Sequence, residues 1–516
     1  MVTSPHALAS EAGRDVLAAG GNAIEAAIVM AAVLCVTYPH FCSLGGDTLC
    51  IISDRDGNAR TISGVGQAAA DLPAFTERIP ARGAASALTA AATVDAWAQA
   101  HAVSRDTWGG RRSWSELLER AQHYAEHGFA LTSSQSFWHD FRGDEVDGWP
   151  GFASVFKVDG KDPRTGYVFR QPALARTLQE LRERGPRDFY EGSLARRIAA
   201  GLAAAGSPLR AADLAQCRAR IEPALRVPYR DGELLGLQPP TQGVTTLEIM
   251  GILDRFDVRA LPEGSPDYYH LLVEAIKLAF IDRNRFVADP DFSSVPAGRL
   301  LSAVQLDRRA TGIDLGKARP WPDVYQHGDT VYLAAVDDEG RCVSMLQTIY
   351  FDFGSGLVVG DTGILWHNRG AAFSLDAWHP NRIAAGKRPF HTLNPGIYLR
   401  DGAPHLLYGT QGADGQPQTL TAVLTRLIDY GMDPFAALAR PRFLLGQTFS
   451  DANDTLKLEA DAGADVFAAL ARRGHAMAWL PAQSPLAGHP GAIRIERDGA
   501  MTGAHDPRSD GIALGV

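Results

Sequence analysis

The segment Gly328-Asp329-Thr330-Val331-Tyr332-Leu333 carries the most distinctive chemistry of the chain. Its plain reading is a polar loop ending at a strand. A second reading is a self-cleaving site. If the Asp329–Thr330 bond is cut, Thr330 becomes an N-terminal residue at the start of a strand. Its hydroxyl is then the nucleophile and its own α-amine the base. An α-amine titrates near ~8, close enough to neutrality to accept the hydroxyl proton. Such a site needs no separate histidine or aspartate.

The other local motifs of catalysis are missing. The sequence holds no GxSxG elbow, no HExxH, no P-loop and no dinucleotide fingerprint. Fifteen histidines show no pairing at metal spacing and read as surface or loop residues. No metal and no redox cofactor is expected. The 5 cysteines form no CxxC pair, so neither a disulfide framework nor a cysteine-rich zinc site is expected. Cys35, Cys42 and Cys50 have apolar neighbours and read as small buried hydrophobes.

The elements that must position Thr330 are legible around it. Thr330–Val336 alternates as a strand. Asp337-Asp338-Glu339-Gly340 is a hairpin turn, and Cys342–Tyr350 is the return strand. Further short strands are expected at 49–53, 363–366, 397–399 and 406–408. Ser10–Ala18 reads as a helix stopped by Gly20-Gly21, and Asn22 is placed to cap a second, wholly apolar helix through Val36. Helical patterns dominate from Ala84 to Gly206, with 138–164 expected to be irregular. Pro239-Pro240 opens a helix near Thr245, and Ser265-Pro266 starts another. Helices are also expected at 420–430 and 464–473. The stretch 317–328 reads as a loop. No linker separates two independent domains.

In this order of motifs the whole chain resembles the γ-glutamyltranspeptidase family of N-terminal nucleophile hydrolases. The matching residues run from end to end. Early ones are Ser4-Pro5-His6, Gly20-Gly21-Asn22-Ala23, and Pro39-His40 with Leu44-Gly45-Gly46. Central ones are Asp188-Phe189-Tyr190-Glu191-Gly192, Pro239-Pro240 with Gly243, and Ala288-Asp289-Pro290-Asp291-Phe292. Late ones are Thr330 with its hairpin, Phe353-Gly354-Ser355-Gly356, Gly363-Ile364-Leu365, Lys387-Arg388-Pro389 and Asp506-Pro507-Arg508.

The resemblance implies an α/β fold of four layers, αββα, with two stacked antiparallel sheets between helical layers. It implies a precursor cut between Asp329 and Thr330 into a large chain 1–329 and a small chain 330–516, together one compact fold. Thr348 matches the family's second threonine, which hydrogen-bonds the nucleophile, and the hairpin can place it beside Thr330. The glycine pair of the oxyanion hole falls on Gly412-Ala413, where Ala413 keeps its N–H if it can hold the required backbone angles.

The departures bear on substrate. Where transpeptidases hold a γ-glutamyl α-carboxylate with an arginine, this chain has Val65. Where they hold the α-amine with an aspartate, it has Ala372. A carboxylate-binding serine pair is replaced by His391-Thr392, and an asparagine by Tyr350. Losing both charged anchors predicts poor γ-glutamyl affinity. One branch matches more closely, through Tyr38-Pro39-His40-Phe41-Cys42 and Pro240-Thr241-Gln242-Gly243: the oxamate amidohydrolases of purine degradation. Oxamate carries its carboxylate directly on the scissile carbonyl, so distant anchors are not needed. His391, Thr392, Arg369 and Tyr350 are the substrate-binding candidates. The expected reaction is hydrolysis of a small carboxylated amide through a Thr330 acyl-enzyme. The alternatives are a γ-glutamyl hydrolase or transpeptidase acting on glutathione-like peptides, a glutaryl-type acylase, and a non-catalytic scaffold.

Length and charge set only wide bounds. The 516 residues would suggest roughly three domains at ~150 each. With Lys plus Arg at 50 and Asp plus Glu at 59, the net charge is −9, which argues against a nucleic-acid partner. The start of the chain has no basic leader, and the longest early apolar run, Ala26–Val36, is too short for a bilayer. A cytoplasmic enzyme away from membranes is expected. Its partners would be the small amide substrate and the two chains of one precursor, in an arrangement that allows a homodimer of processed heterodimers.

Overall fold

The computed structural model describes residues 1–321, 329–446 and 454–516. The expected loop at 317–328 therefore lies outside the described residues from 322 onward.

Strand Asp329–Val336 has two different faces. Val331, Leu333 and Ala335 point into one apolar core, and Tyr332, Ala334 and Val336 into another. That alternation is what a strand produces when both of its faces are covered. Return strand Cys342–Tyr350 is buried along its whole length.

The strand lies third in a seven-stranded sheet. The order is Ile512–Leu514, Val2–Ser4, Asp329–Val336, Cys342–Tyr350, Asp47–Ser53, Ala59–Gly64, Arg220–Pro223. A six-stranded sheet runs Met501–His505, Pro490–Ile495, Ala403–Thr410, Gly396–Arg400, Gly232–Gly236, Leu225–Tyr229. Neighbours in both sheets are antiparallel.

Three cores define the layers. Side chains such as Leu49, Tyr332, Leu346, Leu407 and Ile493 fill the space between the two sheets. On the outer face of the larger sheet packs helix Ala23–Thr37, buried at all 15 positions, with its neighbours. Asn22 and Glu25 close its first turn as a reciprocal capping box, satisfying amides that have no partner inside the helix. On the outer face of the smaller sheet lie helices Gly243–Leu253, Pro266–Phe286 and Gln416–Leu424. The result is the expected αββα sandwich of an N-terminal nucleophile hydrolase.

Several elements differ from expectation. Residues 138–156 are mostly helical, within Ser133–Val146 and Phe152–Phe156, because Trp138, Val146, Phe152 and Phe156 all reach the first core, while 157–164 is irregular as expected. Residues 363–366 form only isolated bridges, Val358 to Leu365 and Gly45 to Trp366, and Gly363 at φ +71° bends the chain out of an extended path. The helix expected at 420–430 starts earlier, at Gln416, and ends in a π turn, Thr425–Asp429. All five cysteines are free and buried. Ten of the fourteen histidines among the described residues are buried rather than on the surface. Among the described residues, no helix is long and apolar enough to cross a membrane.

Candidate active site

Thr330 sits at the head of its strand and is buried. The hairpin register runs Gln347 to Val331 and then Tyr350 to Asp329, with a bulge between. Continued by one residue, the register before the bulge sets Thr348 opposite Thr330, and Thr348 Oγ1 accepts the backbone N–H of Tyr350 at 2.8 Å. Tyr350 pays for the bulge with φ at +76°. A bulky side chain held in the left-handed region is a strain that persists only where its surroundings impose it.

Beside Thr330 lies the loop that enters helix Gln416–Leu424. Gly412 has φ +129° and Ala413 φ +45°. Ala413 thus does hold left-handed angles. Neither amide N–H of this pair donates to a carbonyl or side chain among the described residues. Two adjacent free backbone donors suit an oxyanion. Gln416 Nε2 donates to Thr330 Oγ1 at 3.3 Å, while its Oε1 accepts the Asn394 N–H at 3.2 Å and so fixes which end of the amide faces the threonine.

A second cluster adjoins the first. Arg369 is fully buried, and its guanidinium lies 3.7 Å from the centroid of the Tyr350 ring. Nη1 donates to Thr392 Oγ1 at 3.4 Å, but Nε and Nη2 have no hydrogen-bond partner among the described residues, and no carboxylate there forms an ion pair with it. Burial lowers its pKa to about 10. Asp47 and Asp414 act on it only from beyond ion-pair distance, and a buried cation lacking a direct partner costs several kcal/mol that a bound anion would offset.

His391 is engaged elsewhere. Its Nε2 donates to Asp47 Oδ2 at 3.2 Å, and its Nδ1 accepts the Leu393 N–H at 3.3 Å. Burial, reinforced by Arg369, lowers its pKa to about 4, so the ring is neutral near pH 7. Burial alone would raise the Asp47 carboxyl. His367, 3.5 Å away, and His391 hold it well below the usual carboxylate range. The other Asp47 oxygen accepts the amides of Gly66 and Ala92 at 3.1 and 3.3 Å. Gln242 ties the two clusters together, donating from Nε2 to the carbonyls of Thr392 and Ala413, each at 2.7 Å.

The family model described as Gamma-glutamyltranspeptidase matches residues 9–516. The chain belongs to the gamma-glutamyltranspeptidase family. As a member it is a hydrolase acting on amide bonds. It is 42% identical over 519 residues to the oxamate amidohydrolase proenzyme of Klebsiella pneumoniae subsp. pneumoniae, covering 100% of this chain and 98% of the relative. To the glutathione hydrolase-like YwrD proenzyme of Bacillus subtilis it is 38% identical over 521 residues, covering 100% and 98%. The crystal structure of cephalosporin acylase from Bacillus halodurans superposes with a TM-score of 0.91 at 31% identity, covering 100% of this chain and 96% of that one.

Within this family the two replaced anchors now have places. Val65 is buried in the core between the sheets. Ala372 lines a cavity of about 390 Å³ together with Tyr350, Arg283, Asp414 and Phe390. Arg283 pairs with Asp414 at 2.8 Å across that wall.

Sequence reasoning missed Asp47, Gln242, Arg283, His367, Asp414 and Gln416 as site residues. Two had a signal: Asp47 directly follows Gly45-Gly46, and Gln242 lies inside the stretch Pro240–Gly243. The reading of the histidines as unpaired also fails. His123 and His127 stack one turn apart at 4.5 Å, and His270 lies against His475.

Proposed function

We propose that this member of the family is an autoprocessing amidohydrolase that cleaves a small amide carrying a carboxylate next to its carbonyl, with oxamate giving oxalate and ammonia as the best match. The observation that carries the reading is Arg369: buried, without a carboxylate partner, and stacked on the tyrosine that pairs with the strand residue before Thr330. A substrate carboxylate would satisfy its two free nitrogens, with the Thr392 hydroxyl beside it. His391 would act through Asp47, holding the strand and loop in place.

Cleavage before Thr330 would free its α-amine. The amine takes the hydroxyl proton as Oγ1 attacks the amide carbon, and the Gly412 and Ala413 amides face the resulting oxyanion. The proton passes to the departing nitrogen and ammonia leaves. Water then attacks the ester and restores the threonine.

The cavity beside Ala372 supports a second reading. At about 390 Å³ it exceeds what oxamate needs and would hold a longer acyl group, as in a glutaryl-type acylase. A substrate panel separates the readings, with Thr330→Ala as the blank. Ammonia release from oxamate far above ammonia release from glutaramate and aniline release from the γ-glutamyl anilide supports the first reading. Turnover of the anilide with no activity on oxamate would sink it. Fresh protein should also run as two fragments of roughly 35 and 20 kDa, the 55.4 kDa chain divided before Thr330.

A further inference from the structure

On the far side of the smaller sheet, helix Pro266–Phe286 presents His270 and Glu274 one turn apart, so both leave the same face. His475, between helix Ala464–Arg472 and strand Met477–Leu480, packs against them. Its Nε2 lies 2.8 Å from His270 Nδ1. One donor atom from each of the three residues falls within 4.8 Å of the others, and all three residues are buried.

The tautomer of His270 follows from its other side. Nε2 lies 2.8 Å from the Asp314 carbonyl, which can only accept. Nε2 therefore carries the hydrogen, and Nδ1 turns its lone pair toward His475 and Glu274. An imidazole oriented by a carbonyl in this way is how ligating histidines are held. The 2.8 Å contact between the two rings needs a lone pair on His270 Nδ1, so that ring is neutral. Neutral imidazole is the form that ligates.

We propose that His270, Glu274 and His475 form a binding site for a divalent transition metal of borderline softness, zinc above all, through Nδ1, a carboxylate oxygen and Nε2. Two imidazoles and one carboxylate suit zinc rather than magnesium or calcium, and water completes the tetrahedron. Binding moves the exchangeable hydrogen of His475 from Nε2 to Nδ1 with no net release. Two donors compete for the carboxylate: the Lys277 ammonium, 2.8 Å from Glu274 Oε1, and the Arg319 backbone N–H, which donates to both oxygens at 3.2 and 3.1 Å. Lys277 also donates to the Arg319 carbonyl at 2.6 Å, a bond it keeps when the metal takes the carboxylate. The ion would clamp the long helix to the segment that carries His475.

The test uses the full-length protein, stripped with EDTA, dialysed against micromolar zinc chloride in a non-chelating buffer, and read by metal content and thermal melting. About one zinc per chain and a higher Tm are expected. Both should be lost in His270→Ala and in His475→Ala. Both should survive in His123→Ala/His127→Ala, which removes the exposed stacked pair. Glu274→Gln, which keeps the shape of the site, should lose its zinc on dialysis even if an alanine variant fails to fold. Wild type that retains no zinc overturns the proposal. So does zinc that persists in the His270 and His475 variants and disappears from the His123/His127 variant.

Discussion

The proposed nucleophile corner and the proposed anion corner of this site are built by different means. Thr330, Thr348, Gly412 and Ala413 owe their places to local chain geometry: a strand start, a bulged hairpin, and two residues in the left-handed region. Asp47, His391 and the neighbouring pair His367 and Arg369 come from three separate segments and owe their places to buried charge. The first corner needs little beyond correct backbone. The second needs the whole fold to hold ions out of water, which is expensive unless each has a partner. On the proposed reading, reactivity and selectivity should therefore be separable, each removable without the other.

The most severe way to test that separation is Thr330→Ala. Amide turnover should fall by about 10⁴ or more, and the chain should persist as a single band on a denaturing gel. Next is Arg369→Gln. It should lower kcat/KM for oxamate by about 10² to 10³, since truncating one partner of a buried charge contact costs about 2–5 kcal/mol. Fragment formation should continue, because the nucleophile corner is untouched. An Arg369→Gln chain that fails to cleave while remaining folded would mean the two corners are one unit.

A third change falls on stability. Asp47→Asn should lower it by about 1–3 kcal/mol in urea melts, because the carboxylate accepts from His391, Gly66 and Ala92.

Acid probes the same corner. The pKa of His391 is lowered to about 4 in the fold against about 6.5 unfolded, so its neutral form stabilises the protein above about pH 6.5. That contribution is lost as pH falls from about 6.5 toward 4. His489, also lowered to about 4, acts in the same direction. The Asp47 carboxyl is held low, so its share survives until below the ordinary carboxylate range. Urea midpoints should fall steadily across the histidine window, and a flat profile there would contradict buried neutral rings.

The smallest effect expected is Ala413→Gly. Relief of left-handed strain and added freedom in the unfolded chain oppose each other, so stability should stay within about 1 kcal/mol and turnover should persist.

The same division explains what the sequence revealed. The hairpin around Thr330 could be read because alternation, a turn tetrad and a return strand are all local signals. Asn22 announced its helix for the same reason. The bulge that follows Thr348 depends on Tyr350 accepting φ +76°, which no propensity foretells. Gln416 was hidden inside a helix start, and its aim is set by Asn394, more than twenty residues earlier in the chain. The residues 138–164 looked irregular because glycines and acids interrupt the pattern, yet four large side chains reaching one core made helices there. Long-range partners such as Asp47 and His391 leave no periodic trace.

The strand order has one last consequence. In the larger sheet, strands from beyond residue 329 lie between strands from before it: Asp329–Val336 and Cys342–Tyr350 are flanked by Val2–Ser4 and Asp47–Ser53. A nick ahead of Thr330 would leave two polypeptides interlaced like fingers, unable to part while folded. Once melted they could drift away from each other, and recovery would require two molecules to meet. The uncut precursor should therefore refold at any dilution, whereas the nicked form should regain structure only in concentrated solution.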